Sequence, residues 1–181
     1  MVESRPGAAE VTVYAGLLRA INVGGTGKLA MTELTALCTG AGFKDVKTYI
    51  QSGNVVFRSP LDEAKASAKL AKALEAKMGK PFGLTLRTAA ELEQTLKKNP
   101  FPKAEPKRVI VLFLNEAPPK KSLDGLVTPG GEEVALGARE VYINYPEGLG
   151  VSKLKLPFFK EGTGRNLNTV AKLLEMARAI E

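Results

Sequence analysis

The chain has no histidine, no tryptophan and a single cysteine, Cys38, among its 181 residues. Without histidine there is no Ser-His-Asp or Cys-His machinery, no histidine-ligated zinc, and no side chain that titrates unperturbed near neutrality. One cysteine excludes an intramolecular disulfide, a Cys-rich zinc site and a cysteine-ligated iron–sulfur cluster. No run reaches the ~18 consecutive apolar residues that a membrane-spanning helix needs. Residues 1–10 are polar and lack the apolar core of a secretory signal. These absences lead us to expect a cytoplasmic protein with no membrane partner, no metal and no cofactor. A lone thiol fits a reducing compartment.

What is present is enough apolar material for a core, 44% of the residues, and a net charge of +7. The excess is uneven: residues 1–90 carry 12 basic and 7 acidic side chains, residues 91–181 carry 14 and 12. The stretch K-K-N-P-F-P-K-A-E-P-K-R (97–108) is the densest basic segment. Such a surplus suits an anionic partner, and it equally describes a solvated surface rich in lysine.

The hydrophobic periods predict an α+β fold in two subdomains. V-T-V-Y-A-G-L-L (11–18) alternates as a strand, and Met31, Leu34, Leu37, Cys38 and Ala41 recur at helical spacing after a glycine-broken loop. V-K-T-Y-I-Q-S-G-N-V-V-F-R-S (46–59) reads as a hairpin turning at Ser52-Gly53, with Ile50 opposite Val55 and Thr48 opposite Phe57. Its apolar face should lie under helices. Residues 62–78 are an amphipathic helix opened by Asp62 and Glu63, 82–88 a strand, and 89–98 a short helix. The order through residue 88, βαββαβ, is that of an antiparallel ferredoxin-like sheet. We therefore expect a flexible N-terminus over 1–10, a ferredoxin-like subdomain over 11–98, a Pro-rich connector over 99–107 and a second α+β subdomain over 108–181. In the second, R-V-I-V-L-F-L (108–114) reads as a strand buried on both faces. A short helix should lie near 120–126, a hairpin at 132–145 should turn at Gly137-Ala138, and a helical stretch should begin near Ser152. The last helix spans about 166–180, which makes this unit βαββαα. The halves share an order of elements without a residue-level repeat.

Several polar clusters stand out. N-V-G-G-T-G-K-L (22–29) joins a strand to a helix, where backbone N–H groups can hold a phosphate. It is not a Walker A loop, because Asn22 and Leu29 stand where Gly and Ser or Thr are required. Q-S-G-N (51–54) is first a turn, yet its two amides project from one end of the sheet. G-T-G-R-N-L-N-T (162–169) opens the last helix with Asn166 or Asn168 as cap, and carries more polar groups than capping uses. Ser152-Lys153 is a Ser-Lys pair in sequence, and a catalytic lysine would need its pKa lowered by burial. Cys38 falls on an apolar stripe and reads as an inert buried thiol. The open face of the first sheet should carry Tyr14, Tyr49, Lys47, Arg58 and Arg87. Basic groups around aromatics there suggest an RNA-recognition surface, although the alternating aromatics of that motif are absent.

R-A-I-N-V-G-G (19–25), T-Y-I-Q-S-G-N-V-V-F (48–57), S-K-L (152–154) and R-N-L-N-T-V (165–170) together resemble the bacterial domain-of-unknown-function 1697 family, from about Val11 to Ala177. The resemblance implies an α+β fold of two subdomains, the first ferredoxin-like, and no established activity. Ala20 stands where the family pattern has glycine, and Leu167 where it has tryptophan. It also groups the polar residues: Arg19, Asn22, Gly24 and Gly25 from the first motif, Gln51, Ser52 and Asn54 from the second, and Ser152, Lys153, Arg165, Asn166 and Asn168 from the last two become one set of candidate ligand-binding residues.

The resulting expectation is a cleft between the subdomains in which Arg19, Lys153 and Arg165 supply positive charge to a small phosphate- or nucleotide-like anion. No catalytic residue is assigned, because no feature marks a general base; Asp, Glu, Lys or Tyr would have to serve with a tuned pKa. The alternatives are a nucleic-acid-binding module that uses the basic surface, and a non-catalytic structural or partner-binding protein whose signature residues only hold the halves together. Arg165→Ala is expected to abolish anion binding with little change in melting temperature.

Overall fold

The computed structural model describes residues 10–22 and 28–181. The expectation for residues 1–10 therefore lies, apart from Glu10, outside the described residues, as do Gly24 and Gly25. The elements are β1 (Thr12–Leu18), α1 (Met31–Gly40), β2 (Lys44–Tyr49), β3 (Asn54–Ser59), α2 (Glu63–Met78), β4 (Leu84–Thr88), α3 (Ala89–Lys97), β5 (Val109–Phe113), β6 (Glu133–Leu136), β7 (Glu140–Asn144), β8 (Thr163–Asn166) and α4 (Leu167–Ala179). They form two antiparallel four-stranded sheets, ordered β2-β3-β1-β4 and β6-β7-β5-β8.

Alternation along the central strands sends side chains into different cores. Tyr14 and Leu18 of β1 join Val55 and Phe57 of β3 under α1 and α2, where Leu34, Cys38, Leu70 and Leu74 close the layer. Phe43 stacks on Phe57 at 4.2 Å between ring centroids. Val13, Ala15, Leu17 and Val56 point the other way. They share one core with Val111 and Phe113 of β5, Leu92 of α3, and Val170 and Leu173 of α4. Burying each of these larger side chains contributes about 1.5–3 kcal/mol, so the second core joins the two sheets through α3 and α4. Of the residues expected on an RNA-recognition face, Tyr14 and Arg87 are buried, Tyr49 and Arg58 are half-buried, and Lys47 is exposed. Tyr14 lies in the α1–α2 core and donates its hydroxyl to the Leu61 carbonyl at 2.8 Å, and Arg87 is 1% exposed.

The two sheets also share one register. Tyr14 pairs with both Phe57 and Thr88, and Ile110 with both Ile143 and Asn166. Leu17 faces Asn54 as Phe113 faces Glu140. Each sheet's last strand runs straight into a capped helix: Thr88 accepts from the Glu91 N–H at the start of α3, and Asn166 from the Thr169 N–H at the start of α4. The halves differ in what links their strands. Helices α1 and α2 cover the outer face of the first sheet, whereas the outer face of the second is covered by the irregular segments 114–132 and 145–162, through Leu123, Leu126, Leu156 and Phe158.

Four expectations are corrected here. Residues 120–126 form turns, not a helix: Pro118 and Pro119 precede them, and Gly125 adopts φ +72°. The helical stretch expected from Ser152 is absent; the 3-10 turn Leu149–Val151 precedes it. Residues 163–166, read as a polar loop, form β8, the edge strand beside β5. The second unit is therefore ββββα, and the α+β class holds. The first hairpin pairs Tyr49 with Asn54 and Thr48 with Val55, so its turn spans four residues rather than two. The shift is two positions, which leaves Thr48, Val55 and Phe57 on their shared face, while Ile50 leaves the apolar face for the turn.

Candidate functional site

β8 places Arg165 opposite Val111, one residue before the cap of α4, and its side chain crosses to the first half of the chain. Nη2 donates to the carbonyls of Leu18 and Ser52, both at 2.9 Å, and of Gly53 at 3.3 Å. Nε donates to Asn54 Oδ1 at 2.6 Å, and Nη1 to the Gly164 carbonyl at 2.8 Å. Asn54 is fully buried, and its amide is oriented by Nδ2 donating to the Tyr49 carbonyl and Ser52 Oγ. Every acceptor around Arg165 is neutral. Among the described residues no carboxylate pairs with it, and burial pushes its pKa down to about 10. Of the five guanidinium N–H groups, one on Nη1 stays free of these partners.

Arg165 lines a cavity of 480 Å³ together with Arg19, Ser52, Asn166 and Thr169 on its polar side. Ile110, Leu112 and Ile143 of the second sheet and Ile50, Leu149 and Phe159 from the loops form its apolar side. Gly53 fixes the hairpin against this site. Its φ is +84°, and a Cβ there would stand 2.5 Å from Ile21 Cγ2 and 2.9 Å from Leu18 Cβ. Among the described residues, three of the four non-glycine residues with positive φ, Ala20, Asn22 and Ile50, lie on the same two loops.

Of the residues singled out in the sequence, Arg19, Ser52, Asn54, Arg165 and Asn166 come together here. Asn22 is a tether beside them: its Nδ2 donates to the carbonyls of Leu29 and Gln51 at 2.7 and 2.9 Å, and its Oδ1 accepts from the Leu29 N–H. Gln51 supplies that carbonyl, and the residue is exposed outside the cavity lining. Asn168 is exposed on α4, also outside the lining. Ser152 and Lys153 do not join the others. Ser152 Oγ donates to Glu132 Oε1 at 2.6 Å, and Lys153 lines a separate hollow with Lys155, Ser122 and Asp124. The hydrogen bond to Glu132 pins this segment to the far side of the second sheet's loops. The expected convergence of four segments therefore reduces to three.

Sequence reasoning missed Ile50, Leu149 and Phe159 as lining residues, and it placed a second arginine, Arg87, on an open sheet face. Arg87 is the counterpart of Arg165, one residue before the cap of α3. It donates to the carbonyls of Leu114 at 2.6 Å and Arg139 at 2.8 Å. Its surroundings are acidic: Glu91 and Glu140 lie at 3.6 and 4.0 Å, while Arg139 forms a two-pronged pair with Glu63 and a third contact to Glu91 at 2.7 Å. The Glu63 hydrogen bonds hold the Arg139 pKa above its ordinary value, while burial lowers that of Arg87. Only the doublet F-F at 158–159 hinted at the apolar wall, one ring buried and the next exposed.

Among the described residues no helix is long and apolar enough to cross a membrane. No curated protein matches the chain. Among solved structures, the conserved bacterial protein SP0830 from Streptococcus pneumoniae is similar, with a TM-score of 0.78 and 27% identity over 93% of this chain and 99% of that one. The sequence pattern described as "Protein of unknown function (DUF1697)" matches residues 11–142, which takes in the first sheet, its helices and the second sheet as far as β7. The chain belongs to the DUF1697 family of proteins of unknown function.

Proposed function

We propose that the protein binds a small anionic ligand in the cavity beside Arg165. The observation that carries this reading is a part-buried guanidinium whose acceptors among the described residues are all neutral. Desolvating a cation without a counter-charge is unfavourable, and an anion in the cavity would supply the missing charge. Arg87 strengthens the contrast: at the equivalent position carboxylates already stand beside the cation. Arg19 adds a second positive group to the lining, and the start of α4, with Asn166 and Thr169, faces the same space.

The test is titration with inorganic phosphate, sulfate and methyl phosphate, followed by amide chemical shifts. We expect saturable shifts at Ser52 and at Gly164–Asn166. Arg19→Gln should weaken the binding about tenfold, in line with the loss of one charge-assisted hydrogen bond. Shifts elsewhere, or unchanged affinity in Arg19→Gln, would overturn the reading. The burial of Tyr14 and Arg87 removes two of the residues that a nucleic-acid platform on the first sheet would use.

A further inference from the structure

The cavity lining combines polar and apolar side chains. Among the described residues six large apolar side chains stand exposed, and three of them, Ile50 at 50%, Leu149 at 51% and Phe159 at 42%, border this one space. They arrive from separate segments: the first hairpin and the two ends of 145–162. Single exposed apolar residues need no explanation; convergence around a cavity already lined by a part-buried cation does. The opening exists because 145–162 runs where the first half has α2. The floor is the outer face of the second sheet, and Gly164 leaves the edge strand bare there.

Ile50 adds an independent sign. A β-branched residue at φ +49° is strained, because Cβ crowds its own backbone. Glycine or asparagine would relax the turn. The strain is retained at a turn position that lines the cavity, and strain kept in place is a mark of functional sites.

Building on the anion-site reading above, we propose that the ligand is an organic anion, a phosphate or carboxylate head on an apolar body. The head sits against Arg165 and Arg19, and the body lies along Ile50, Leu149 and Phe159. A cavity of 480 Å³ lies within the range of small-molecule sites, and inorganic phosphate would leave its apolar side wet.

The experiment is calorimetric titration with n-alkyl phosphates from methyl to octyl, the matching carboxylates and the matching alcohols, with inorganic phosphate as the bare head. We expect affinity to rise about threefold to fourfold per methylene until the wall is covered in one of the two anion series, which identifies the head. Phe159→Ser and Leu149→Ser should flatten that rise without unfolding the protein, since both side chains are largely exposed. Ile50→Asn should flatten it while raising the melting temperature by about 2–4 °C. A flat anion series at the affinity of inorganic phosphate overturns this inference and leaves the anion site standing. Alcohols that bind as well as the anions overturn the anion site itself. Absence of binding by every probe overturns both.

Discussion

Arg165 and Arg87 hold equivalent places in the two halves, and each reaches into the other half. Arg87 donates to the carbonyls of Leu114, at the end of the β5 run, and Arg139, at the β6–β7 turn. Arg165 donates to those of Leu18, which ends β1, and Gly53, in the β2–β3 turn. Even the backbone bonds beneath them match, Leu18 N–H to Gly53 and Leu114 N–H to Arg139. The halves are stapled reciprocally, and the staples differ in charge compensation.

That difference predicts unequal costs on removal. Arg87→Met strands Glu140 and leaves two buried carbonyls without donors, a loss of about 3–5 kcal/mol. Arg165→Met leaves carbonyls and Asn54 unpaired but strands no charge, a loss of about 1–3 kcal/mol. Urea denaturation of the two variants checks the ranking. Equal losses would mean that the acids around Arg87 carry no weight. The same geometry overturns the expectation that Arg165→Ala leaves the melting temperature almost unchanged, so binding by Arg165 variants must be measured on protein shown to be folded.

Glycines 53 and 79 separate two kinds of constraint. Both have positive φ, +84° and +76°, but a Cβ at Gly79 meets open space while one at Gly53 meets Ile21 and Leu18. Gly79→Ala should cost about 1 kcal/mol, the backbone preference alone. Gly53→Ala should cost several times as much and displace the Ser52 and Gly53 carbonyls from Arg165. Denaturation midpoints give the first comparison. Amide shifts at Gly164 and Arg165, perturbed only in Gly53→Ala, give the second.

Cys38 is fully buried under α1, and burial pushes its thiol up to about 12. A disulfide reagent at neutral pH should therefore label it only as fast as the protein opens, with a rate that climbs with denaturant along the unfolding transition. Rapid labelling in native buffer would contradict the packing. Cys38→Ser should cost about 1–3 kcal/mol by burying a hydroxyl among Leu34, Leu70 and Leu74.

The legible part of the fold was whatever local period dictates. Val55 and Phe57 against Val56 was enough to assign both faces of β3, and Asp62 and Gly79 bracketed α2 correctly. The hairpin register slipped by two because Ser-Gly resembles a two-residue turn, while Ile50 takes a left-handed conformation that nothing in its side chain announces. β8 was invisible because T-G-R-N has no alternation, and it is a strand only because β5 offers it an open edge. The candidate site divided along the same line. Arg19, Ser52, Asn54 and Arg165 were recognisable as unusual polar groups near turns and caps. The burial of Arg87 was not, since its partners are backbone carbonyls 27 and 52 positions away.

Ser152 and Glu132, outside the cavity, give a pH-dependent clasp. The Ser152 hydroxyl and the Gly130 N–H donate to the Glu132 carboxylate, and the serine bond is the main cause that holds its pKa below the ordinary 4.5. An acid with a depressed folded pKa stabilises the native state above its unfolded value. That contribution is lost as pH falls through the lower folded value. The clasp is therefore complete at pH above 4.5 and fades below it. Ser152→Ala should lower the melting temperature at neutral pH, and the gap from wild type should narrow as the pH drops below 4.5. A gap that is constant across that range would show that the serine acts through packing rather than through the carboxylate. A gap that widens in acid would reverse the sign and remove Glu132 from the account.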